Sequence, residues 1–462
     1  MSDDENAQYP VAVKIRHVAG PREGEERTVH AKFVVGCDGA RSGVRKSIGR
    51  SLAGMSANHA WGVMDVLANT DFPDMHTKCA ISSKHGSILH IPREGGHLCR
   101  MYIDLGEVAE DDNHKVRETT IEQIIEKANA ILAPYSLDVK EVAWHSVYEV
   151  GHRLTDHFDD IDPDERGEVC PRVFITGDAC HTHSAKAGQG MNVSMQDGWN
   201  IAWKLGLVLS DRAPKTLLDT YSGERQEIAK NLIDFDKEWS TLMATPSDQL
   251  PDPSYLEDFY VKTAEFPAGF MTQYKPSIIT GTEDHQELAT GFPIGKRFHS
   301  SEVMRRLDAF ERHLGHEHKA DGRFRLYIFA DSASVQENSE VDALAEKLLT
   351  DSRSPFVQFR REGDDLSALI EPNVIYQSEY TSFECPEVPA LFRPQVGKLG
   401  LDYWEKIYSA IPENDIFDVR GISRDGAVVI VRPDQYVAAV LPLNDFEGIC
   451  AYFEGALAPL KS

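Results

Sequence analysis

The alternation of apolar and polar side chains near the start of the chain is typical of β-strands. Residues Val11–Val18 alternate in this way, and a polar, glycine-containing break separates them from the run Lys32–Val35. Alternation with a period of two buries one face of a strand and leaves the other in solvent. The pattern therefore predicts a hairpin or meander that ends in the turn Asp38-Gly39.

Further along the chain, the spacing of apolar residues switches several times between the period typical of strands and the period typical of helices. The predicted strands are Trp61–Leu67, Ser87–Ile91, Leu98–Leu105, Arg323–Phe329, Val374–Tyr376 and Ala427–Val431. The predicted helices are Thr120–Leu132, Met191–Leu209 and Leu217–Met243. This mixture predicts a fold of the α/β class, and the first three strands suit a sheet that roofs a substrate pocket.

A glycine-rich turn after the strand that begins near Arg172 is the most informative segment. Gly177 and Asp178 follow that strand, and the helix after them starts with little bulk. A carboxylate at this place can accept hydrogen bonds from sugar-type hydroxyls, and the unpaired N–H groups of a helix start favour negative charge. These needs are those of a flavin dinucleotide, although a bare Gly-Asp pair is more often an ordinary capped turn. The helix-start candidates for cofactor binding are Gly188, Gly190, Met191 and Asn192.

A second carboxylate ends a strand upstream, in the turn Asp38-Gly39. Arg41 and Ser42 follow it and add donors suited to a pyrophosphate or to a nicotinamide cofactor. An Asp-Gly pair alone is usually a plain turn. Two strand-end carboxylates in one chain make a cofactor site the stronger interpretation.

Both motifs resemble those of the class A flavoprotein aromatic hydroxylases, specifically the phenol 2-monooxygenase branch. The runs Cys37-Asp-Gly-Ala-Arg-Ser42 and Gly177-Asp-Ala-Cys-His-Thr-His-Ser184 carry the resemblance. It implies an FAD- and NADPH-dependent enzyme, cytoplasmic and homodimeric, that hydroxylates a small phenol ortho to its hydroxyl with O2, through a flavin hydroperoxide. Arg93 and Tyr102 match the family's substrate-side arginine and tyrosine. Alternatively, Arg93 is a surface ion-pair partner and Tyr102 a half-buried strand aromatic.

The resemblance also implies a domain order, with an incomplete FAD-binding domain, a substrate-domain sheet and a C-terminal thioredoxin-like domain. The expected segments are residues 1–50 (FAD-binding, Asp-Gly motif), 51–150 (substrate-binding), 151–235 (FAD-binding, Gly-Asp motif and long helices), 236–287 (connector) and 288–462 (thioredoxin-like). The last segment contains no Cys-x-x-Cys. We therefore expect a structural or assembly role for it and no redox chemistry.

Two departures from the family pattern bear on activity. The sequence contains no Gly-x-Gly-x-x-Gly, the loop that brings a backbone close to a pyrophosphate. We therefore expect a truncated chain that is weakly active or inactive alone, or else a non-catalytic relative that acts as a binding or dimerisation module. Ala185 stands where the family has proline beside the flavin. It is either harmless or the mark of a flavin enzyme that does not hydroxylate.

Composition excludes several other functions. The net charge of −26 argues against nucleic-acid binding, which needs clustered lysine and arginine. No apolar run approaches the roughly 18 residues of a membrane span. Seven cysteines in an odd, scattered set predict reduced thiols in the cytosol. The spacing of His181 and His183 matches no helical metal pair, so we expect no metal site.

Overall fold

The computed structural model describes residues 8–108, 115–183, 190–244, 252, 254–263, 265, 269–333, 335 and 339–459. The chain divides into two compact units. The first unit comprises residues 1–160, 172–195 and 225–267, and the second comprises residues 161–171, 196–224 and 268–462. Helices and strands mix in both, which confirms the predicted α/β class.

The start of the first unit contains two strand pairs. Strands β1 (Val11–Arg16) and β2 (Glu26–Ala31) form an antiparallel hairpin. Strand β3 (Val34–Gly36) instead pairs in parallel with β9 (Val173–Ile175). The predicted pairing of Val11–Val18 with Lys32–Val35 is therefore wrong. Strand β2 escaped the hydrophobic pattern because almost all its residues are exposed.

The first unit also contains a six-stranded antiparallel sheet. Its order is β10-β8-β4-β7-β6-β5. The strands are β4 (Ala53–Thr70), β5 (Cys79–Ser83), β6 (Gly86–Pro92), β7 (Leu98–Glu107), β8 (Leu137–Leu154) and β10 (His181–Thr182). Helix α2 (Ile121–Leu132) packs its apolar side on one face of the sheet, and Thr120 and Gln123 form a capping box at its start.

Four further helices lie between or after these strands in the chain, and two of them are divided between the two units. Helix α1 (Gly43–Ser47) follows β3, and the helix α3 (Gly190–Leu209) follows β10. Helices α4 (Thr220–Ala244) and α5 (Tyr255–Lys262) come next. In the described part of the chain, no helix combines the length and the apolar character that a membrane crossing requires.

A seven-stranded mixed sheet forms the core of the second unit. Its order is β12-β11-β17-β14-β13-β18-β19. The strands are β11 (Glu302–Arg305), β12 (Phe310–His313), β13 (Phe324–Phe329), β14 (Ile370–Tyr376), β17 (Ile407–Ser409), β18 (Ala427–Val431) and β19 (Val437–Leu441). Strands β13 and β14 are parallel neighbours joined through the helix α6 (Glu340–Thr350). Strands β13, β14 and β18 are buried along their whole length, and β18 is accordingly a continuous apolar run.

Smaller elements complete the second unit. A short hairpin joins β15 (Gln395–Val396) to β16 (Leu401–Asp402). The remaining helices are α7 (Pro355–Gln358), α8 (Ile416–Val419) and α9 (Phe446–Ala456). The thioredoxin-like character of this segment stays a prediction.

Candidate flavin and substrate site

The Asp-Gly turn is held together by its own carboxylate. One oxygen of Asp38 accepts the hydroxyl of Ser42, and the other accepts the backbone N–H groups of Gly43 at 2.7 Å and Val44 at 3.0 Å. Burial would raise the pKa of Asp38, but these hydrogen bonds outweigh it and lower the pKa. The structure therefore shows Asp38 and Ser42 as the cap of α1.

Gly39 and Arg41 remain open to a ligand at the same turn. Gly39 has a φ of +76°, in the left-handed region that favours glycine. The side chain of Arg41 is exposed. The turn thus presents a guanidinium to solvent on a backbone fixed by Asp38.

Arg45 connects the two motif turns, and sequence reasoning missed it. Its side chain is buried and donates hydrogen bonds to the carbonyl oxygens of Ala40 and Ala179, each at 2.9 Å. Ala40 belongs to the Asp-Gly turn and Ala179 to the Gly-Asp turn. The parallel pairing of β3 with β9 and this arginine together bring the two predicted motifs side by side.

At two glycines of the Gly-Asp region, the backbone lies very close to a neighbouring side chain. Gly177 has a φ of +59°, and a Cβ there would lie 3.0 Å from the Oγ of Ser194 on α3. A Cβ on Gly190 would lie 2.4 Å from the ring of His183. Glycine at both positions therefore lets the turn and the start of α3 pack together. Ala185 and Gly188 lie outside the described residues.

The exposed groups at this place fit the chemistry of a flavin dinucleotide. Asp178 is exposed at the tip of the turn. Met191 and Asn192 are exposed in the first turn of α3, which contains no acidic residue to compete for its N–H groups. A carboxylate that can accept sugar hydroxyls, a helix start that favours negative charge and the nearby Arg41 are the donor and acceptor set that FAD requires.

Arg93, the predicted substrate-side arginine, is engaged in ion pairs. It donates to both oxygens of Glu94, at 2.8 and 2.9 Å, and lies 4.0 Å from Asp65. The hydrogen bond from Arg93 lowers the pKa of Glu94 to about 2. These contacts agree with the ion-pair alternative for Arg93, so a catalytic role for it stays a prediction.

Tyr102 lies half-buried on β7, opposite Val63 of β4 and Leu89 of β6. Its neighbours Met101 and Ile103 belong to the apolar core beneath α2. Tyr102 must therefore project from the other face of the sheet, because successive side chains of a strand alternate.

Arg100 shares the face of Tyr102, and sequence reasoning did not select it. Both oxygens of Asp65 accept hydrogen bonds from Arg100 at 2.7 Å, which raises the pKa of the guanidinium. The guanidinium lies 5.6 Å from the ring centroid of Trp144, whose ring is 6.4 Å from that of Tyr148. The two-residue spacing from Arg100 to Tyr102 was the signal available in the sequence.

Comparisons with known proteins show which family the chain resembles. Residues 6–236 match the FAD binding domain family, and residues 272–461 match the family described as phenol hydroxylase, C-terminal dimerisation domain. A 3-hydroxybenzoate 4-monooxygenase of Comamonas testosteroni is 48% identical, with 97% of this chain and 72% of that protein covered. The FAD-dependent monooxygenase terD of Aspergillus terreus is 40% identical, over 98% of this chain and 73% of that protein.

Solved structures show the same fold. A ternary complex of aklavinone-11 hydroxylase with FAD and aklavinone matches with a TM-score of 0.62 at 20% identity, over 98% of this chain and 72% of that one. CabE, an aromatic hydroxylase from angucycline biosynthesis, matches with a TM-score of 0.60 at 22% identity, over 97% and 73%. Because of the matched FAD binding family and the relative at 48% identity, the chain belongs to the class A FAD-dependent aromatic hydroxylases, a family of flavoprotein monooxygenases.

Proposed function

We propose that the protein hydroxylates a small phenol at the carbon ortho to its hydroxyl, with O2 and NADPH as co-substrates. The observation that carries this proposal is the sheet face on which Arg100, Tyr102 and Trp144 lie together. The relative at 48% identity supports it, because carbon 4 of 3-hydroxybenzoate adjoins the carbon that bears the hydroxyl. Identity at that level extends over almost the whole chain.

Each side chain of this face has a specific part in the proposal. The exposed rings of Trp144 and Tyr148 offer an aromatic ring a surface for stacking. The hydroxyl of Tyr102 would bond the phenol hydroxyl and orient it. Arg100, fixed in place by Asp65, would place its positively charged guanidinium beside the substrate and stabilise the negative charge that develops on the phenol oxygen.

The cofactor would be held by the two motif turns and the start of α3. When bound, FAD supplies the activation of O2. Asp178 would accept hydrogen bonds from its sugar-chain hydroxyls, and Arg41 would pair with its pyrophosphate or with NADPH. The first N–H groups of α3 would favour negative charge on the ring. The roles of Asp38, Gly39, Ser42, Ala185 and Gly188 as cofactor contacts belong to the same proposal.

We further propose that full activity needs residues of the FAD-binding type beyond those in this sequence. Among the described residues, β3 and β9 form a parallel sheet of two strands only, whereas parallel sheets are usually covered on both faces. Met191 and Met195 on α3 are 72% and 66% exposed. The same observations favour the second candidate function, a non-catalytic binding or dimerisation module.

The assembly we propose is a cytoplasmic homodimer formed through the C-terminal segment, within the five-segment domain order given above. The dimerisation family matched by residues 272–461 supports it. On the hairpin β15-β16, Leu399 and Leu401 are 83% and 61% exposed. A second copy of the chain would remove these apolar side chains from water.

The proposed activity is tested by product analysis under 18O2. The chain, supplied with FAD, NADPH and either phenol or 3-hydroxybenzoate, is expected to form an ortho-hydroxylated product slowly, with one 18O atom in each product molecule. Tyr102→Phe should lower product formation, and the matched variant Tyr380→Phe, at an exposed tyrosine of the second unit, should not. NADPH oxidation without product would contradict hydroxylation, and a colourless, folded protein would favour the non-catalytic module.

A further inference from the structure

A cluster of charged and polar side chains lies buried inside the second unit. The turn between β18 and β19 supplies two of its members, and helices α3 and α4 supply the rest. Every member is at least nine-tenths buried. The members are Arg432 and Asp434 from the turn, Asn200, Trp203 and Lys204 from α3, and Glu224 from α4.

Arg432 is the centre of the cluster. Its side chain is fully buried, and all five of its N–H donors have acceptors. Glu224 accepts two of them, at 2.5 and 3.0 Å, and Asp434 accepts another two, at 3.0 and 2.7 Å. The hydroxyl of Thr280 accepts the fifth at 3.0 Å. The planar guanidinium therefore fixes the positions of two carboxylates at once.

The two carboxylates in turn hold one face of α3. Glu224 accepts hydrogen bonds from Lys204 at 2.7 Å and Asn200 at 2.8 Å. Asp434 accepts the indole N–H of Trp203 at 3.2 Å. Residues spaced by three and four positions lie on one side of a helix. The two carboxylates thus bind α3 through three side chains, Asn200, Trp203 and Lys204, on one side of the helix.

The charges of the cluster balance only when all members are present. Two cations, Arg432 and Lys204, face two carboxylates, Glu224 and Asp434. Burial lowers the pKa of the Lys204 amine to about 8, and Glu224 offsets only part of this effect. Removing one partner of such a set leaves a buried charge without compensation. The turn at Arg432 is therefore coupled to α3.

We propose that Arg432 and Asp434 are positioning residues for the flavin helix α3. Through them the C-terminal segment, for which a structural or assembly role was expected, fixes the helix whose first turn contains the cofactor-binding candidates Gly190, Met191 and Asn192. The effect on FAD rests on the proposed placement of the cofactor at that helix start. The grip on the helix itself does not.

Hydrogen exchange of the full chain, measured by mass spectrometry, tests the grip on α3 without any cofactor. Arg432→Met should speed exchange in peptides from α3 and from the start of α4 by about 100-fold, because it leaves Glu224 and Asp434 against one cation. Exchange in α2 should stay unchanged. The matched control is Arg424→Met, at a half-exposed arginine paired with Asp415 and Asp418. No acceleration in α3, or an equal acceleration in α2 and α3, would overturn the proposal.

Rescue and cofactor affinity complete the test. Arg432→Met combined with Glu224→Gln restores the charge balance, so α3 should regain part of its protection, whereas Arg432→Lys alone should not restore it because lysine lacks the five-donor fork. If Arg432→Met does not fold, Asp434→Asn replaces it with the same expected pattern. FAD affinity should fall with the loss of protection in α3. If the wild-type chain binds no FAD, the cofactor placement fails while the exchange result still decides the positioning role.

Discussion

The exposed charges of the motif turns and the buried charges of the cluster serve different purposes. In the motif turns of the first unit, Arg41 and Asp178 are exposed. In the cluster of the second unit, Arg432 and Glu224 are buried and hydrogen-bonded to each other. The first kind of charge is open to a ligand, and the second kind holds helices in place. The sequence around a carboxylate next to a glycine or a helix looks similar in both settings. The burial of the side chain therefore distinguishes a ligand-binding charge from a structural one.

The largest effect that this comparison predicts is the loss of stability caused by Arg432→Met. The free energy of unfolding should fall by about 3–5 kcal/mol, because two buried carboxylates lose their shared partner. Arg41→Met, at an exposed arginine, should change it by less than about 0.5 kcal/mol. Urea denaturation followed by far-UV circular dichroism gives both values. Equal effects of the two variants would remove the distinction between the two kinds of charge.

Arg45→Met should have the next largest effect, because the buried guanidinium of Arg45 joins the two motif turns. Losing its hydrogen bonds to Ala40 and Ala179 should destabilise the first unit by about 2–3 kcal/mol. It should also weaken FAD binding, because the turns would no longer be held together. Denaturation and flavin titration of the same sample check both effects. Full stability with full FAD affinity would contradict the bridging role.

The buried cluster also predicts a loss of stability in acid. Although burial raises the pKa of Glu224, Arg432 and Lys204 lower it to about 2, below its ordinary value of 4.5. Between these two values the unfolded chain binds more protons than the folded one, so stability should fall as the pH decreases from about 4.5 to about 2. Melting temperatures across this range should show the fall in the wild type. In Glu224→Gln the melting temperature should depend less on pH over this range. An unchanged pH dependence would contradict the role of the ion pairs.

The smallest of these effects concerns the backbone of the Gly-Asp turn. Gly177→Ala should cost about 1–2 kcal/mol, since alanine is strained at a φ of +59° and its Cβ would crowd Ser194. Gly198→Ala is the matched control, because nothing lies near the Cβ position of that glycine. Thermal melts of the two variants should differ in this direction. Similar melting temperatures would show that the turn tolerates a side chain.

Sequence pattern alone predicted the elements with strong apolar periodicity. The strand Ala427–Val431 was placed with its observed bounds, and the helix predicted at Thr120–Leu132 begins one residue later. Strand β8 was missed because charged residues interrupt its apolar ones, and β2 because it is almost wholly exposed. Local pattern is informative where burial is continuous and uninformative where it is not.

The sequence also identified the two motif turns but not the contacts that unite them. Asp178 and Asp38 were found because glycine and aspartate after a strand form a local signal. The bridge from Arg45 to Ala179 spans 134 positions, and the pair Arg432–Glu224 spans 208. No local spacing encodes such contacts. Arg100 could have been found, since its alternation with Tyr102 is local.

The measurement that tests the central claim most directly is FAD affinity and melting temperature, taken together, for Asp178→Asn and Glu224→Gln. If exposed charges serve the ligand and buried charges the framework, Asp178→Asn should weaken FAD binding by about tenfold at an unchanged melting temperature, since it removes a charge-assisted acceptor. Glu224→Gln should mainly lower the melting temperature, with a smaller effect on FAD affinity. Two variants that lose affinity and stability in the same proportion would contradict the account.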